Sequence, residues 1–118
     1  MTLTELQAQA DAYVTQYEVG YFPVFENLAR LSEEVGELAR EVSHTHGIKK
    51  KKATEADGSA REELGDTLFV LACLANQLGV NLDEALDFVF KKYARRDAGR
   101  WPPRAASDEP LSVAPDKL

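Results

Sequence analysis

Apolar residues recur at helical spacing over four stretches of the chain, three of them preceded by a residue suited to cap a helix. Leu6, Ala10, Tyr13, Val14 and Tyr17 fall on one face at a period near 3.6. Ahead of them, Thr2-x-x-Glu5 has the form of a capping box, in which hydroxyl and carboxylate satisfy N–H groups that the first turn leaves orphaned. This pattern predicts a helix from Thr2 to about Val19, stopped by Gly20, with Pro23 opening the next element. The second helix is expected from about Pro23 to Ser43, where Leu28, Leu31, Val35, Leu38 and Val42 form a seam of the helix-bundle kind. Residues 46–58 are polar and lysine-rich and read as a loop. Ser59-x-x-Glu62 and Asn81-x-x-Glu84 are two further capping boxes. They predict a third helix to about Leu78 and a fourth from about Leu82 to Asp97, the latter with Leu86, Val89, Phe90 and Tyr93 inward.

The third helix carries the strongest packing signal. Leu64, Leu68, Leu71, Ala75 and Leu78 occupy one face, while Phe69, Val70, Cys73 and Leu74 fill much of the remainder. A helix apolar nearly all round has to be buried nearly all round. Four short helices can hardly enclose it, so the expected fold is an all-α, four-helix-bundle type completed by homodimerisation, with a dimer of dimers compatible. Residues 1–101 form the expected helical domain. Four of the five prolines fall from residue 102 onward, so 102–118 is expected to be a disordered tail.

Composition narrows the function classes. The chain has 118 residues and a formal charge of −6, which argues against general nucleic-acid binding, since that needs a basic face. A single cysteine, Cys73, forbids an internal disulfide and suits a reducing compartment. The N-terminus lacks the basic and apolar regions of a signal peptide, and no apolar run is long enough to span a membrane. The expectation is a small cytoplasmic protein with no membrane partner.

Two acidic clusters change the picture. Ser32-Glu33-Glu34-Val35-Gly36-Glu37 and Arg61-Glu62-Glu63-Leu64-Gly65-Asp66 each place carboxylates three residues apart, on one helix face. Glu34 with Glu37, and Glu63 with Asp66, would converge four carboxylates if the helices met. Such a group repels itself unless a cation lies between, and oxygen-only ligands suit a hard divalent ion, Mg²⁺ first. Glu62 is better explained as the capping partner of Ser59.

The two-part pattern Glu33-Glu34-x-x-Glu37 … Glu63-x-x-Asp66 resembles that of the MazG-like nucleoside triphosphate pyrophosphohydrolases, relatives of the dimeric dUTPases. The likeness runs through Leu31–Glu41 and Glu62–Leu71 and covers roughly residues 5–101. It implies hydrolysis of a nucleoside triphosphate to the monophosphate and pyrophosphate, with Mg²⁺, or Mn²⁺ as a substitute. By the same resemblance Glu34, Glu37, Glu63 and Asp66 are metal ligands. Glu33 matches a glutamate that positions or deprotonates the attacking water, or is a solvated neighbour. Lys92, Arg100 and Trp101 fit a downstream substrate-binding run, although Asp97 stands where asparagine is usual and the spacing is stretched. Equally, that last turn could be basic to offset its helix dipole.

Other features keep alternatives open. The lysines at 49, 50, 51 and 52 read as a solvated charge run or a flap meeting triphosphate. Tyr17, Tyr21, Phe22 and Phe25 cluster at the first break and could stack a base or belong to the core. Two rival readings are a non-catalytic helical module whose acidic face meets a basic partner, and a di-metal carboxylate protein. The latter lacks a second Glu-x-x-His to match Glu41-x-x-His44. The preferred nucleotide is not legible in the sequence.

Overall fold

The computed structural model describes residues 1–47 and 59–106; the four-lysine run and the tail from 107 onward lie outside the described residues. Four helices follow in order, α1 (Leu3–Thr15), α2 (Val24–His46), α3 (Ala60–Leu78) and α4 (Leu82–Asp97). No strand occurs among the described residues.

Three helices begin where a side chain replaces the missing intrahelical acceptor. Thr2 Oγ1 accepts from Glu5 N at 3.0 Å, Ser59 Oγ from Glu62 N at 3.1 Å and Asn81 Oδ1 from Glu84 N at 2.9 Å. α3 ends in a Schellman arrangement at Gly79 (φ 68°), with Val80 N donating to Ala75 O at 2.9 Å and Gly79 N to Asn76 O at 3.2 Å. Only a residue at ease with positive φ closes a helix this way.

Two boundaries differ from expectation. α1 stops at Thr15, not Val19. Gln16 Nε2 donates to Tyr13 O at 3.0 Å, the carbonyl that Tyr17 N would need to continue the helix, and Tyr17 N turns to Val14 O at 3.3 Å instead. Residues 17–20 then turn tightly, Gly20 N donating to Tyr17 O at 3.1 Å. α2 runs three residues past Ser43, to His46, and ends at Gly47. A Cβ at Gly47 would lie 2.5 Å from the Ser43 carbonyl oxygen, so any other residue there would have to shift the helix end.

α3 packs against both α1 and α2. Its α1 side forms the small core of Ala10, Ala72 and Cys73, bordered by Leu6, Val14, Tyr21 and Phe69. Polar residues pin this layer. The half-buried carboxamide of Asn76 donates to Gln7 O (2.9 Å) and Tyr21 Oη (3.1 Å). Buried Gln7 donates to Asn76 Oδ1 (3.1 Å) and Val80 O (2.8 Å) and accepts from Leu82 N (2.8 Å). Tyr21 in turn donates to Asp11 at 2.6 Å; burial and this bond push its hydroxyl up to about 12.

The expected inward residues of α4 do not form a core in one chain. α4 buries no residue, and Leu86, Phe90 and Tyr93 are all exposed. It is anchored instead by its first turn, where Asp83 accepts from Leu3 N, Thr4 N and Thr4 Oγ1. The α2 seam is only partly covered: Leu31 and Leu38 are half-buried on the side of Asn27 and Glu34, whereas Leu28, Val35 and Val42 are exposed. On α3, Leu64, Leu68, Leu71 and Leu78 also stay exposed, so burial nearly all round is not reached within one subunit.

Candidate active site

The α2–α3 seam positions the site because the two helices run antiparallel. At one end Asn27 Nδ2 donates to Gln77 Oε1 at 2.9 Å, and Gln77 Nε2 reaches Phe22 O at 2.7 Å. About two to four turns away the same faces bring acidic residues together. One carboxylate oxygen from each of Glu34, Glu37 and Glu63 lies within 4.8 Å of the others.

Glu34 and Glu63 are half-buried, Glu37 and Asp66 exposed. Asp66 falls outside the tight group of three, yet its charge acts on both Glu34 and Glu63. Burial, then the hydrogen bond and charge of Glu37, then Asp66 and Glu34, push the Glu63 carboxyl up to about 7. Burial and the charges of Glu37 and Asp66 also raise Glu34, against the hydrogen bond from Glu63 and the charge of Arg30. A shared proton or a cation has to relieve such a group.

The oxygens themselves test whether a metal fits. Glu34 Oε2 and Glu63 Oε2 are buried without a hydrogen-bond partner among the described residues. Orphaned acceptors of this kind cost free energy unless something positive meets them, and an all-oxygen donor set suits a hard divalent cation. The residues fit the ion.

The other residues singled out by the sequence divide. Glu33 is exposed on α2 beside the group. Glu62 is exposed in the first turn of α3, its backbone N–H donating to the N-cap Ser59 Oγ. Lys92, Arg100 and Trp101 are exposed, and among the described residues no hydrogen bond or ion pair joins them to the carboxylates. Arg100 lies over the Trp101 ring at 5.1 Å and 3.9 Å from Asp97 Oδ1.

An aromatic cavity of about 240 Å³ lies between α1, the 16–23 turn, α2 and α3. Of the four aromatics expected at the break, Tyr17, Tyr21 and Phe22 line it, whereas Phe25 points outward and is 85% exposed. Sequence reasoning missed Tyr13, Phe69, Asn27 and Arg30. The signal for Phe69 was its place one turn beyond Asp66, and for Arg30 its place one turn before Glu34.

Residues 24–101 match the family model of the MazG nucleotide pyrophosphohydrolase domain. A curated relative, the uncharacterized protein YpjD of Bacillus subtilis (strain 168), is 54% identical over 100 residues, 85% of this chain and 90% of its own length. A crystal structure of YPJD from Bacillus subtilis, described as a candidate pyrophosphatase, superposes with a TM-score of 0.70 at 54% identity. It covers 79% of this chain and 95% of that one. The crystal structure of the Bacillus-conserved MazG protein, a nucleotide pyrophosphohydrolase, gives a TM-score of 0.68 at 43% identity, over 79% of this chain and 90% of that one.

Proposed function

The chain belongs to the MazG nucleotide pyrophosphohydrolase family, and on that premise we propose that it cleaves nucleoside triphosphates between the α and β phosphates. The observation carrying the proposal is the group formed by Glu34, Glu37 and Glu63, with its two buried, unpartnered oxygens. Glu34, Glu37 and Glu63, joined by Asp66, hold Mg²⁺, or Mn²⁺ in its place. Bound there, the ion supplies neutralisation of polyphosphate charge and orientation of the α-phosphorus. Glu33, exposed beside the group, accepts the proton of the attacking water. The bond from the α-phosphorus to the bridging oxygen breaks, and pyrophosphate leaves with that oxygen. Lys92 and Arg100 offer charge-assisted donors to phosphate oxygens, with Trp101 beside Arg100.

Residues 1–101 constitute the working domain and function as a homodimer at least. The open apolar faces of α2, α3 and α4 support that assembly. No helix among the described residues is long and apolar enough to cross a membrane, and the free buried thiol of Cys73 suits the cytoplasm. Purified protein incubated with Mg²⁺ and a panel of canonical nucleoside triphosphates should release pyrophosphate and monophosphate in equal amounts. Release of orthophosphate instead, or no release from any nucleotide, would sink the reading.

A further inference from the structure

The aromatic cavity is a built recess. Tyr13 meets Tyr17 edge-on (centroids 5.7 Å, 72°) and Phe69 nearly perpendicularly (5.8 Å, 86°), so the ring walls hold one another in place. Asn27 and Cys73, 2% and 3% exposed, close it towards the helix seam. At about 240 Å³ it lies below the ~300–1,000 Å³ of sites that enclose a whole drug-sized ligand. It suits one flat fragment.

Its polar groups are unevenly engaged. The Tyr21 hydroxyl donates to Asp11 and accepts from Asn76, and the Asn27 amide nitrogen donates to Gln77. Arg30 differs. Its guanidinium lies 5.2 Å from the Phe22 ring centroid and makes a single long bond, Nη1 to Asn27 Oδ1 at 3.5 Å, with no ion pair among the described residues. A guanidinium carries five N–H donors in a fixed fork, and this one long bond leaves most of that capacity unused among the described residues, at the wall of an apolar recess. A group that suits such a wall is flat, apolar on its faces and rich in acceptors on one edge.

Position supplies the rest. Arg30 stands four residues before Glu34 on α2, about 6 Å along the axis, and Phe69 stands three after Asp66 on α3. Along their helix axes Arg30 and Phe69 thus each stand about one turn from a carboxylate of the group. We propose that the recess holds the nucleotide base and that Arg30 selects purines bearing a 6-oxo group, reading O6 and N7 together. This rests on the pyrophosphohydrolase reading above. Adenine sets an amino donor where O6 would be, against the Arg30 donors. Cytosine offers O2 and N3 to the same fork but fills less of the recess.

The test compares pyrophosphate release from dGTP, dITP, dATP, dCTP and 7-deaza-dGTP by the wild type and by Arg30→Gln. Hypoxanthine keeps O6 and N7 without the 2-amino group, so dITP should follow dGTP, while 7-deaza-dGTP should lose most of the advantage. Arg30→Gln should lower kcat/KM for dGTP and dITP about tenfold to hundredfold, mainly through KM. Glutamine pairs with adenine N6 and N7, so dATP should be unchanged or improved. An unchanged melting temperature and helical circular dichroism keep the comparison meaningful, and Arg30→Lys, which retains charge without the fork, should fail to restore dGTP. An equal loss on every base would put Arg30 on sugar or phosphate and overturn the inference, as would a wild type that prefers dCTP or dATP. If no nucleotide is hydrolysed by the wild type, the pyrophosphohydrolase reading itself falls.

Discussion

Glu62 and Glu63 are neighbours in sequence with different surroundings, and the difference is testable one atom at a time. Glu62 is exposed in the first turn of α3, its N–H held by Ser59, whereas Glu63 is half-buried and turned towards Glu34 and Glu37. Glu63→Gln keeps the shape and removes a charge from a self-repelling group. It should abolish pyrophosphate release and shrink the rise in melting temperature produced by Mg²⁺, which stabilises the native state by mass action. Without metal the variant should melt at the same temperature or higher. Glu62→Gln should do little to turnover. If their effects are exchanged, the face assignment of α3 is off by one residue, and if neither matters the metal-site proposal fails. Helical spacing made this pairing legible, since i and i+3 positions share a face whatever the tertiary context. Asn27 and Tyr13 were not legible, because their roles depend on how a neighbouring helix crosses them.

Element boundaries could be read from the sequence wherever a local rule fixes them. The N-caps Thr2, Ser59 and Asn81 and the glycine at 79 act within one turn, and the structure places these four helix ends as expected. The docking of α4 was not readable, because it depends on a contact between residues some 80 positions apart. Asp83 accepts from Leu3 N and Thr4 N at 3.3 and 2.9 Å and from Thr4 Oγ1 at 2.6 Å. One side chain in the first turn of α4 thus serves the orphan donors of α1. The Thr4 side chain and backbone bonds lower the Asp83 carboxyl below its ordinary 3.8. Since the folded value is the lower one, its stabilisation is fully present above 3.8 and is lost as pH falls through the folded value. Asp83→Ala should therefore lower the melting temperature by several degrees at pH 6, with the gap to wild type narrowing below pH 4. A gap that stays constant to pH 2.5 would mean the charge contributes nothing. Gly79→Ala tests a local rule instead. Beyond its chain neighbours no described atom lies within 4 Å of the added Cβ, so the positive φ alone should cost about 1–2 kcal/mol, read from denaturant unfolding. Gly79→Asn should cost less, because asparagine tolerates that region better.

At the scale of the molecule, the open apolar faces and the family match point to different tests. The match ends at residue 101, so deleting the chain from Pro103 onward should leave turnover nearly intact; a large fall in activity would show that the domain extends further. Assembly is the harder question. Phe25, Leu28 and Val35 on α2 are exposed at 85, 52 and 49%. Across the molecule Leu68 and Leu71 of α3, with Leu82 and Leu86 of α4, line an apolar groove of about 250 Å³. Scattered exposed leucines are ordinary, but contiguous apolar faces on three of four helices are what an interface looks like before it is covered. A second copy is the simplest cover, since a two-fold interface presents the same patch from both sides. Sedimentation at low micromolar concentration should then show at least a dimer, and a folded 13.1 kDa species would overturn the assembly. The double substitution Leu68→Glu, Leu71→Glu sharpens the test by setting four like charges into a self-facing groove. It should dissociate the assembly while sparing the buried α1–α3 layer of Ala10, Ala72 and Cys73, which neither side chain joins. Retention of the wild-type sedimentation coefficient would rule out the α3–α4 groove as the contact and shift the interface to the exposed face of α2. There Leu28→Glu with Val35→Glu is the matching test, and survival of the oligomer through both pairs of substitutions would leave neither face as the interface.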